Sequence, residues 1–403
     1  MRFIGRVLGM AVVVLAAVWL GLWWWTESQM QDGFANWAAR MQNQGNITVS
    51  YGRMNRGYSP LAASVTLTNM QITVQPNPAR PPVSVTLPSF GMEIDAADPQ
   101  ILHYNLPGQI TINTPRASVA ATFGNIALTQ QIDLDALANK EIDPFKASDF
   151  SASNINLLAS GGSLLLLHID SINSHATINR AAGASGSALN WTDDFKGISL
   201  SPLLTRLGSV PFGGSVTELA VSMNLSGPVP ANWDALVEQF NALPAANRAD
   251  RGKIMLQAAR AWAAGGGNAS ASLKLVAGPS TLNASGNVKF DAKAQPSGTA
   301  DVTADHLDAF SAAITGAYPQ TQDRISAIQA QLSPYLSSSD SGGQTLGMHV
   351  VYGAGTVAIN GEKVSDLPPI DWDALENPPA PTPQAPGDGS GAAAQPPVVS
   401  GAQ

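Results

Sequence analysis

The side chains most able to do chemistry in this 403-residue chain are five dispersed histidines: His103, His168, His175, His306 and His349. Only His168 and His175 lie close together in the sequence. Because successive residues of a strand point to opposite faces, their odd separation places the two rings on opposite faces of a continuous strand. We therefore predict no metal site from this pair, and polar or capping roles for all five imidazoles.

Asp193 and Asp194 are the other candidate, because a pair of carboxylates can serve acid–base catalysis. They follow Trp191 within residues 181–213, a stretch rich in Gly, Ser and Pro that we interpret as a loop with little regular structure. Adjacent acids in such a stretch more often start a turn or cap a short helix. We expect that role for them rather than catalysis.

Sequence motifs for common enzyme chemistries do not occur in this chain. It has no G-x-S-x-G nucleophile elbow, no P-loop, no G-x-G-x-x-G that opens a helix and no H-E-x-x-H. It also has no cysteine, which excludes disulfides and thiolate metal sites. We therefore predict that the protein is not an enzyme, that it needs no cofactor, and that it has no catalytic, cofactor-binding or metal-binding residues.

The charge balance argues against one class of partner. The formal net charge is -8, and no basic stripe of the kind that binds nucleic acid occurs anywhere. Only 12% of the residues are charged and 6% are aromatic, while Ala, Ser, Thr, Asn and Gly are abundant. This composition is typical of an exported, β-rich globular protein.

The first element that the sequence predicts is a transmembrane helix at Val7–Trp25, an uninterrupted apolar run. As a helix this run is roughly 28 Å long, close to the hydrocarbon thickness of a bilayer. Arg2 and Arg6 precede it, so the positive-inside rule places the N-terminus in the cytoplasm. A cleaved signal peptide is the alternative, but small residues are missing where cleavage would occur. We therefore expect a single-pass inner-membrane protein with the bulk of the chain in the periplasm.

Residues 26–45 are predicted to form a juxtamembrane helix. Met30, Phe34, Trp37 and Met41 recur at helical spacing and form one apolar face. Two interpretations follow. The face packs under the domain, or it rests on the outer leaflet or against a neighbouring protein.

From Asn46 onward the hydrophobic period changes from about 3.6 to 2, which indicates a β-meander. The apolar residues of Leu61–Val74 change phase near Thr68 or Asn69, and we interpret this change as a β-bulge that bends a long strand. Leu164–Leu167 is apolar without alternation, as expected for a strand covered on both faces.

Helices enter in the second half of the chain. We predict one at Trp233–Leu243, one that Asn247 caps, and a helical hairpin after Asp305. The predicted fold class is thus α+β, with a long, curved antiparallel sheet. The predicted domains are a cytoplasmic N-terminus with anchor (1–25), a juxtamembrane helix (26–45), a periplasmic β-rich domain (46–375) and a disordered tail rich in Pro, Gly and Ala (376–403).

These features together resemble a known family. The anchor, the early strand Ile47–Tyr51 and the turn Arg56-Gly57-Tyr58-Ser59-Pro60 are similar to those of domain of unknown function 2125. The closing strands also resemble that family and, more loosely, AsmA-like envelope proteins; they comprise Gly355–Gly361 and Leu367-Pro368-Pro369. The resemblance covers most of residues 1–375. It implies an uncharacterised exported protein of Gram-negative envelopes and carries over no functional residues.

The leading functional hypothesis is an envelope protein whose curved sheet holds or conducts an apolar ligand such as lipid. The strands that motivate it are Leu61–Val74, Leu164–Leu167, Leu219–Leu225 and Val288–Phe290. If they share one sheet face, that face is either filled by side chains or left open for a ligand. The alternative is a scaffolding subunit that docks another envelope protein. The predicted partners are the inner membrane and either lipid or another envelope protein, with no nucleic acid.

Overall fold

Nineteen strands, all paired antiparallel, form one sheet in the described part of residues 1–369. The structure is a computed structural model that describes residues 2–43, 47–59, 61–75, 81–133, 136, 144–183, 186–243, 247–338, 342–353 and 355–377. The strands in chain order are β1 (Ile47–Ser50), β2 (Arg53–Arg56), β3 (Ala62–Val74), β4 (Val83–Asp95), β5 (Asp98–Asn105), β6 (Gln109–Asn113), β7 (Ser118–Thr122), β8 (Asn125–Ile132), β9 (Phe145–Ala159), β10 (Leu164–Ile178), β11 (Ser187–Leu200), β12 (Ser215–Ser226), β13 (Asn268–Ala277), β14 (Ser280–Phe290), β15 (Pro296–Asp305), β16 (Leu336–Ser338), β17 (Gln344–Gly353), β18 (Thr356–Ile359) and β19 (Glu362–Asp366).

The helices fall before the sheet, between its strands and after it. In the described part of residues 1–369 they include α1 (Arg2–Asn43), α2 (Pro202–Leu207), α3 (Trp233–Ala242), α4 (Arg248–Ala264), α5 (Leu307–Ala317) and α6 (Gln322–Leu332). A second compact unit, residues 370–403, contains α7 (Trp372–Glu376) in its described part. The predicted disordered tail, 376–403, lies almost entirely outside the described residues.

The sheet is a meander, so neighbours in sequence are neighbours in space. From β9 to β15 each strand pairs with the next, and β17, β18 and β19 continue the order. In the first half, β1 and β2 lie end to end along β3, while β5 and β6 lie end to end along β4. The predicted long antiparallel sheet with helices in the second half is confirmed.

One segment was assigned wrongly. Residues 181–213 do not form an irregular loop, because β11 takes up Ser187–Leu200 near the middle of the sheet. Its large side chains Leu189, Trp191 and Phe195 fall on alternate positions with polar residues between them, which suits a strand with two different faces. Asp193 and Asp194 are therefore strand residues on opposite faces, rather than the start of a turn.

Leu164–Leu167 also differs from its prediction. It begins β10 as expected, but all four leucines are partly exposed. The strand is thus not covered on both faces.

Helix α1 is continuous for 42 residues, so it does not end at the predicted boundary between anchor and juxtamembrane helix. Among the described residues, no helix is both long enough and apolar enough to cross a membrane. The transmembrane helix predicted at Val7–Trp25 is therefore not confirmed.

The second half of α1 packs against the first strands of the sheet. Phe34 is 7% exposed, and its ring lies 5.4 Å from Trp37, 5.6 Å from Tyr51 and 6.3 Å from Phe90. The core beneath it includes Val65, Leu67, Met70, Leu87, Met92 and Leu102. Of the two interpretations of residues 26–45, packing under the domain is confirmed.

A line of irregular residues crosses the first part of the sheet, and we name it the crease. Strands that lie end to end count as one position in the sheet, and each of eight successive positions contributes one residue: Gly52, Asn69, Pro88, Gly108, Gly124, Asn154, Asp170 and Gly197. The pairing of Thr68 with Ser89 and of Met70 with Leu87 places Asn69 opposite Pro88. The other registers align Gly52 with Asn69, and Gly124, Asn154, Asp170 and Gly197 with one another, while Gly108 is opposite the residue next to Gly124. Asn69, Asn154 and Gly197 have left-handed backbone, with φ of 51°, 55° and 62°.

The crease shifts the alternation of side chains between the two faces. Leu67 and Met70, on either side of Asn69, are both buried, and so are Ala152 and Ile155 on either side of Asn154. The predicted change of phase at Asn69 is confirmed. It is not a bulge with an extra residue, because β3 and β4 change phase together and their register is unbroken.

Helices α5 and α6 form the predicted helical hairpin, and a carboxylate ties it to the sheet. Asp308, in the first turn of α5, accepts a hydrogen bond of 3.0 Å from the backbone N–H of Gln344, which begins β17. That hydrogen bond lowers the pKa of Asp308 below its ordinary value of 3.8.

We expect Asp308 to make stability depend on pH. Since its folded pKa is lowered, its contribution is complete above about pH 5, where the unfolded carboxyl is also ionised, and is lost as the pH falls through the folded value. Asp308→Asn keeps an oxygen acceptor but removes the charge. The stability gap between wild type and variant, measured by urea unfolding, should therefore shrink between about pH 5 and about pH 3. A gap that stays constant over that range would contradict this assignment.

Candidate functional site

The two faces of the sheet differ in chemistry from β8 to β17. Residues directly opposite each other on paired strands share a face, so the registers sort the side chains into two sets. One set, the apolar face, is centred on Trp191, Phe195, Leu219, Val221, Met223 and Leu273. The other set, the polar face, consists largely of Ser, Thr, Asn and Asp.

A single row of paired residues runs across the polar face. Each of the strands β5, β8 to β15 and β17 contributes one residue, and each residue is directly opposite the next. They are His103, Thr129, Asp149, His175, Thr192, Ser222, Ser272, Ser285, Asp301 and His349. Eight of these residues, from Thr129 to Asp301, line a groove of about 880 Å³. At a strand spacing of about 4.8 Å the groove follows the sheet for roughly 34 Å.

Two histidine–aspartate pairs lie in this row. His175 Nδ1 is 2.6 Å from Asp149 Oδ1, and His349 Nδ1 is 2.6 Å from Asp301 Oδ1. All four side chains are between 43% and 62% exposed. Among the described hydrogen bonds, no hydroxyl contacts either imidazole. The pairs thus have the orienting half of a catalytic triad without an activated nucleophile.

Two lysine pairs lie next to the row. Lys274 Nζ is 2.7 Å from Glu218, and Lys196 Nζ is 3.0 Å from Asp194 Oδ2. The hydrogen bond to Asp194 and the charge of that carboxylate raise the pKa of Lys196 above its ordinary value. The groove therefore offers hydroxyls, amides and paired charges, with small apolar residues such as Ala127 and Ala220 between them.

His168 and His175 lie on the same face, contrary to prediction. Ile169 and Ile172 are opposite Ile155 and Ala152, which are both buried, so these two isoleucines share the buried face although they are three residues apart. The crease between them thus shifts the alternation by one residue, and both histidines fall on the other face. His168 contacts Asn156 Oδ1 at 2.8 Å and Asp170 Oδ1 at 2.9 Å. Within the described residues, no group of three His, Asp or Glu side chains is placed to hold a metal ion.

The apolar face is covered at its margins and partly exposed in its middle. Helix α1 covers the first strands. At one end of the strands, Trp262 of α4 packs on Phe290 at 5.6 Å, and at the other end Phe310 of α5 packs on Phe212 at 5.4 Å. Between them Trp191, Phe195, Leu219, Val221, Met223 and Leu273 are neither buried nor fully exposed.

Sequence reasoning missed both the row and the extent of the apolar face. Their signal is present in the alternation of β11 and β12, where Trp191, Phe195, Leu219 and Val221 interleave with polar residues. Interpreting 181–213 as a loop hid the signal in β11. Thr192 of β11 lies between His175 and Ser222 in the row, so the row cannot be recognised across the sheet when β11 is not predicted as a strand.

The comparisons with known proteins concern the family alone. A family model described as an uncharacterized protein conserved in bacteria, DUF2125, matches residues 23–368. No curated protein and no solved structure matches the chain. Because the match covers most of the sequence, this chain belongs to the DUF2125 family, as its turn at residues 56–60 and its closing strands predicted.

Proposed function

We propose that this protein is a membrane-anchored envelope protein that holds acyl chains of a lipid on its apolar face. The observation that carries the proposal is the set of six large, partly exposed side chains on β11, β12 and β13. Each methylene that leaves water on such a surface contributes about 0.8 kcal/mol, so a chain of many methylenes gains enough to bind. The proposed role is binding without catalysis.

The position of the ligand differs from the one that the sequence favoured. Val65 is fully buried and Ile72 packs against the same core, so the face of β3 is filled by side chains and α1. The proposed site therefore lies on β11–β13, beyond the reach of α1. Leu219–Leu225, one of the four segments that motivated the hypothesis, lies there.

The membrane anchor and the location belong to the proposal. The uninterrupted apolar sequence Val7–Trp25, with Arg2 and Arg6 before it, supports an anchor with its N-terminus in the cytoplasm. The chain beyond it would then be periplasmic, attached to the inner membrane by a single pass.

The test uses two neighbouring residues of β12 that point to opposite faces. Val221→Asp places a charge on the apolar face, and Ser222→Asp places the same charge on the polar face as a matched control. Full-length protein extracted from membranes in mild detergent is analysed by native mass spectrometry. We expect phospholipid bound to wild type and to Ser222→Asp, and lost from Val221→Asp.

The folded state of both variants is checked by circular dichroism. A wild-type protein that is free of lipid in repeated preparations would overturn the proposal. So would equal lipid content in the two folded variants.

The alternative, a scaffold that docks another envelope protein, has less support. A docking strand would need an open sheet edge, and β19 is an edge strand whose five residues are all exposed. However, Glu362, Lys363 and Asp366 place charges along it, with Lys363 Nζ 2.7 Å from Asp366. Charged edge strands are a common protection against strand addition.

A further inference from the structure

An exposed aromatic cluster lies where α1 meets the hairpin between β2 and β3. We name it the junction cluster, and its members are Trp19, Leu22, Trp24, Trp25, Tyr58 and Leu61. Their exposed fractions are 41%, 54%, 63%, 57%, 102% and 68%. Large apolar side chains that are exposed together usually mark an interaction surface.

A tryptophan of the helix holds the hairpin against α1. The indole N–H of Trp23 donates to the backbone carbonyl of Ser59 at 2.8 Å, and the rings of Trp19 and Trp23 stack at 5.6 Å. The N–H of Gly57 donates to the carbonyl of Ser64 at 2.7 Å and closes the hairpin. The tip carrying Tyr58 is therefore fixed beside the tryptophans.

We propose that the junction cluster docks in the interface between the headgroups and the acyl chains of a phospholipid bilayer. Tryptophan and tyrosine are the residues enriched at that depth, because their rings are apolar and their N–H and O–H groups are polar. The helix members of the cluster form the end of the apolar sequence Val7–Trp25, and the hairpin lies beside them, so a bilayer that holds that segment also reaches Tyr58 and Leu61.

Arg56 supplies a contact for lipid phosphate. Its guanidinium lies 5.0 Å from the ring centre of Trp24, and its Nε–H donates to Gln31 at 3.0 Å. The terminal N–H groups of a guanidinium match phosphate oxygens well. A bilayer is favoured over a protein partner because four of the six members belong to the apolar run Val7–Trp25, which the proposed anchor places in lipid.

The docking gives the domain a second point of attachment besides the helix. Anchored by α1 alone, the helix and the sheet packed on it could turn together about the helix axis in the bilayer. With the β2–β3 hairpin seated in the interface, this rotation is fixed. The inference rests on the proposed membrane anchor.

The test uses the absence of cysteine, which makes any introduced thiol unique. Tyr58→Cys and Leu61→Cys in the full chain are labelled with a nitroxide, as is Leu207→Cys, a 75% exposed residue of α2 that serves as control. The proteins are reconstituted in phosphatidylglycerol and phosphatidylethanolamine vesicles. The depth of each label in the bilayer is measured from its collision rates with oxygen, which is concentrated in lipid, and with a nickel chelate, which stays in water.

We expect both hairpin labels to lose nickel accessibility and gain oxygen accessibility on reconstitution, while the label at position 207 stays in water. Hairpin labels as accessible to nickel as the control, in protein that floats with the vesicles, would overturn the docking and leave the anchor standing. Protein that does not float would overturn the anchor, and the docking with it.

Discussion

Phe34→Ala is expected to lower the free energy of unfolding by about 3–5 kcal/mol, the usual cost of removing a buried phenylalanine ring. The ring joins the helix to the sheet, since it touches Trp37 on one side and Tyr51 and Phe90 on the other. The surrounding core cannot collapse into the space, because Leu67 and Met70 are held by strand pairing on both sides of β3.

The measurement is urea unfolding of the full chain in mild detergent, followed by tryptophan fluorescence. Asn36→Ala is the matched control: it lies on the same helix, is exposed, and should change stability by less than about 0.5 kcal/mol. Equal unfolding midpoints for the two variants would show that α1 does not pack on the sheet as described.

Gly197→Ala is the second substitution with a large expected effect. The left-handed backbone at φ 62° costs an L-residue about 1–2 kcal/mol, and the new Cβ would lie 1.9 Å from Asp170 Oδ2. The Asp170 side chain must therefore move away, which also breaks its contact with His168. We expect the loss of stability to exceed the backbone cost alone.

A double-mutant cycle separates the two causes. Asp170→Ala alone should cost little, because the side chain of Asp170 is 67% exposed and water screens its pair with His168. In Gly197→Ala/Asp170→Ala the carboxyl group is gone and only the Cβ of residue 170 stays close, at 2.8 Å from the new Cβ. Most of the clash is thus removed, so the double variant should be more stable than the sum of the singles predicts. Gly208→Ala, with open space around its Cβ position, is the control glycine. Additive losses would mean that Asp170 does not pack over Gly197.

The general architecture could be predicted from the sequence because its signals are local. Alternation in the short strands, the Asn247 cap and the turn after Ala317 depend on residues a few positions apart, and each led to the correct element. Asn247 accepts from the N–H of Asp250, as the spacing indicated. In a meander most strands pair with strands close to them in the sequence. Few long-range pairings therefore had to be predicted, and the local signals nearly sufficed.

The parts that could not be predicted depend on neighbouring strands. The phase shift at Asn154 has no signature in its own strand, since it depends on Gly124 and Asp170 in the adjacent rows. The same shift brings His168 and His175 to one face. Likewise, Ser222 and Ser272, whose hydroxyls are 2.7 Å apart, are 50 positions apart in the chain. The residues of the candidate site are therefore brought together by the register of the strands, and no local sequence motif marks them.

The order of the strands also determines how the chain can be assembled in time. Apart from β16, every described strand after the first two pairs with at least one strand that precedes it; β16 pairs with β17, the strand that directly follows it. A chain that emerges N-terminus first can thus add each new strand to an edge that already exists. No strand has to wait for a distant partner, so the interval in which apolar strand edges are open to aggregation stays short despite the length of the sheet.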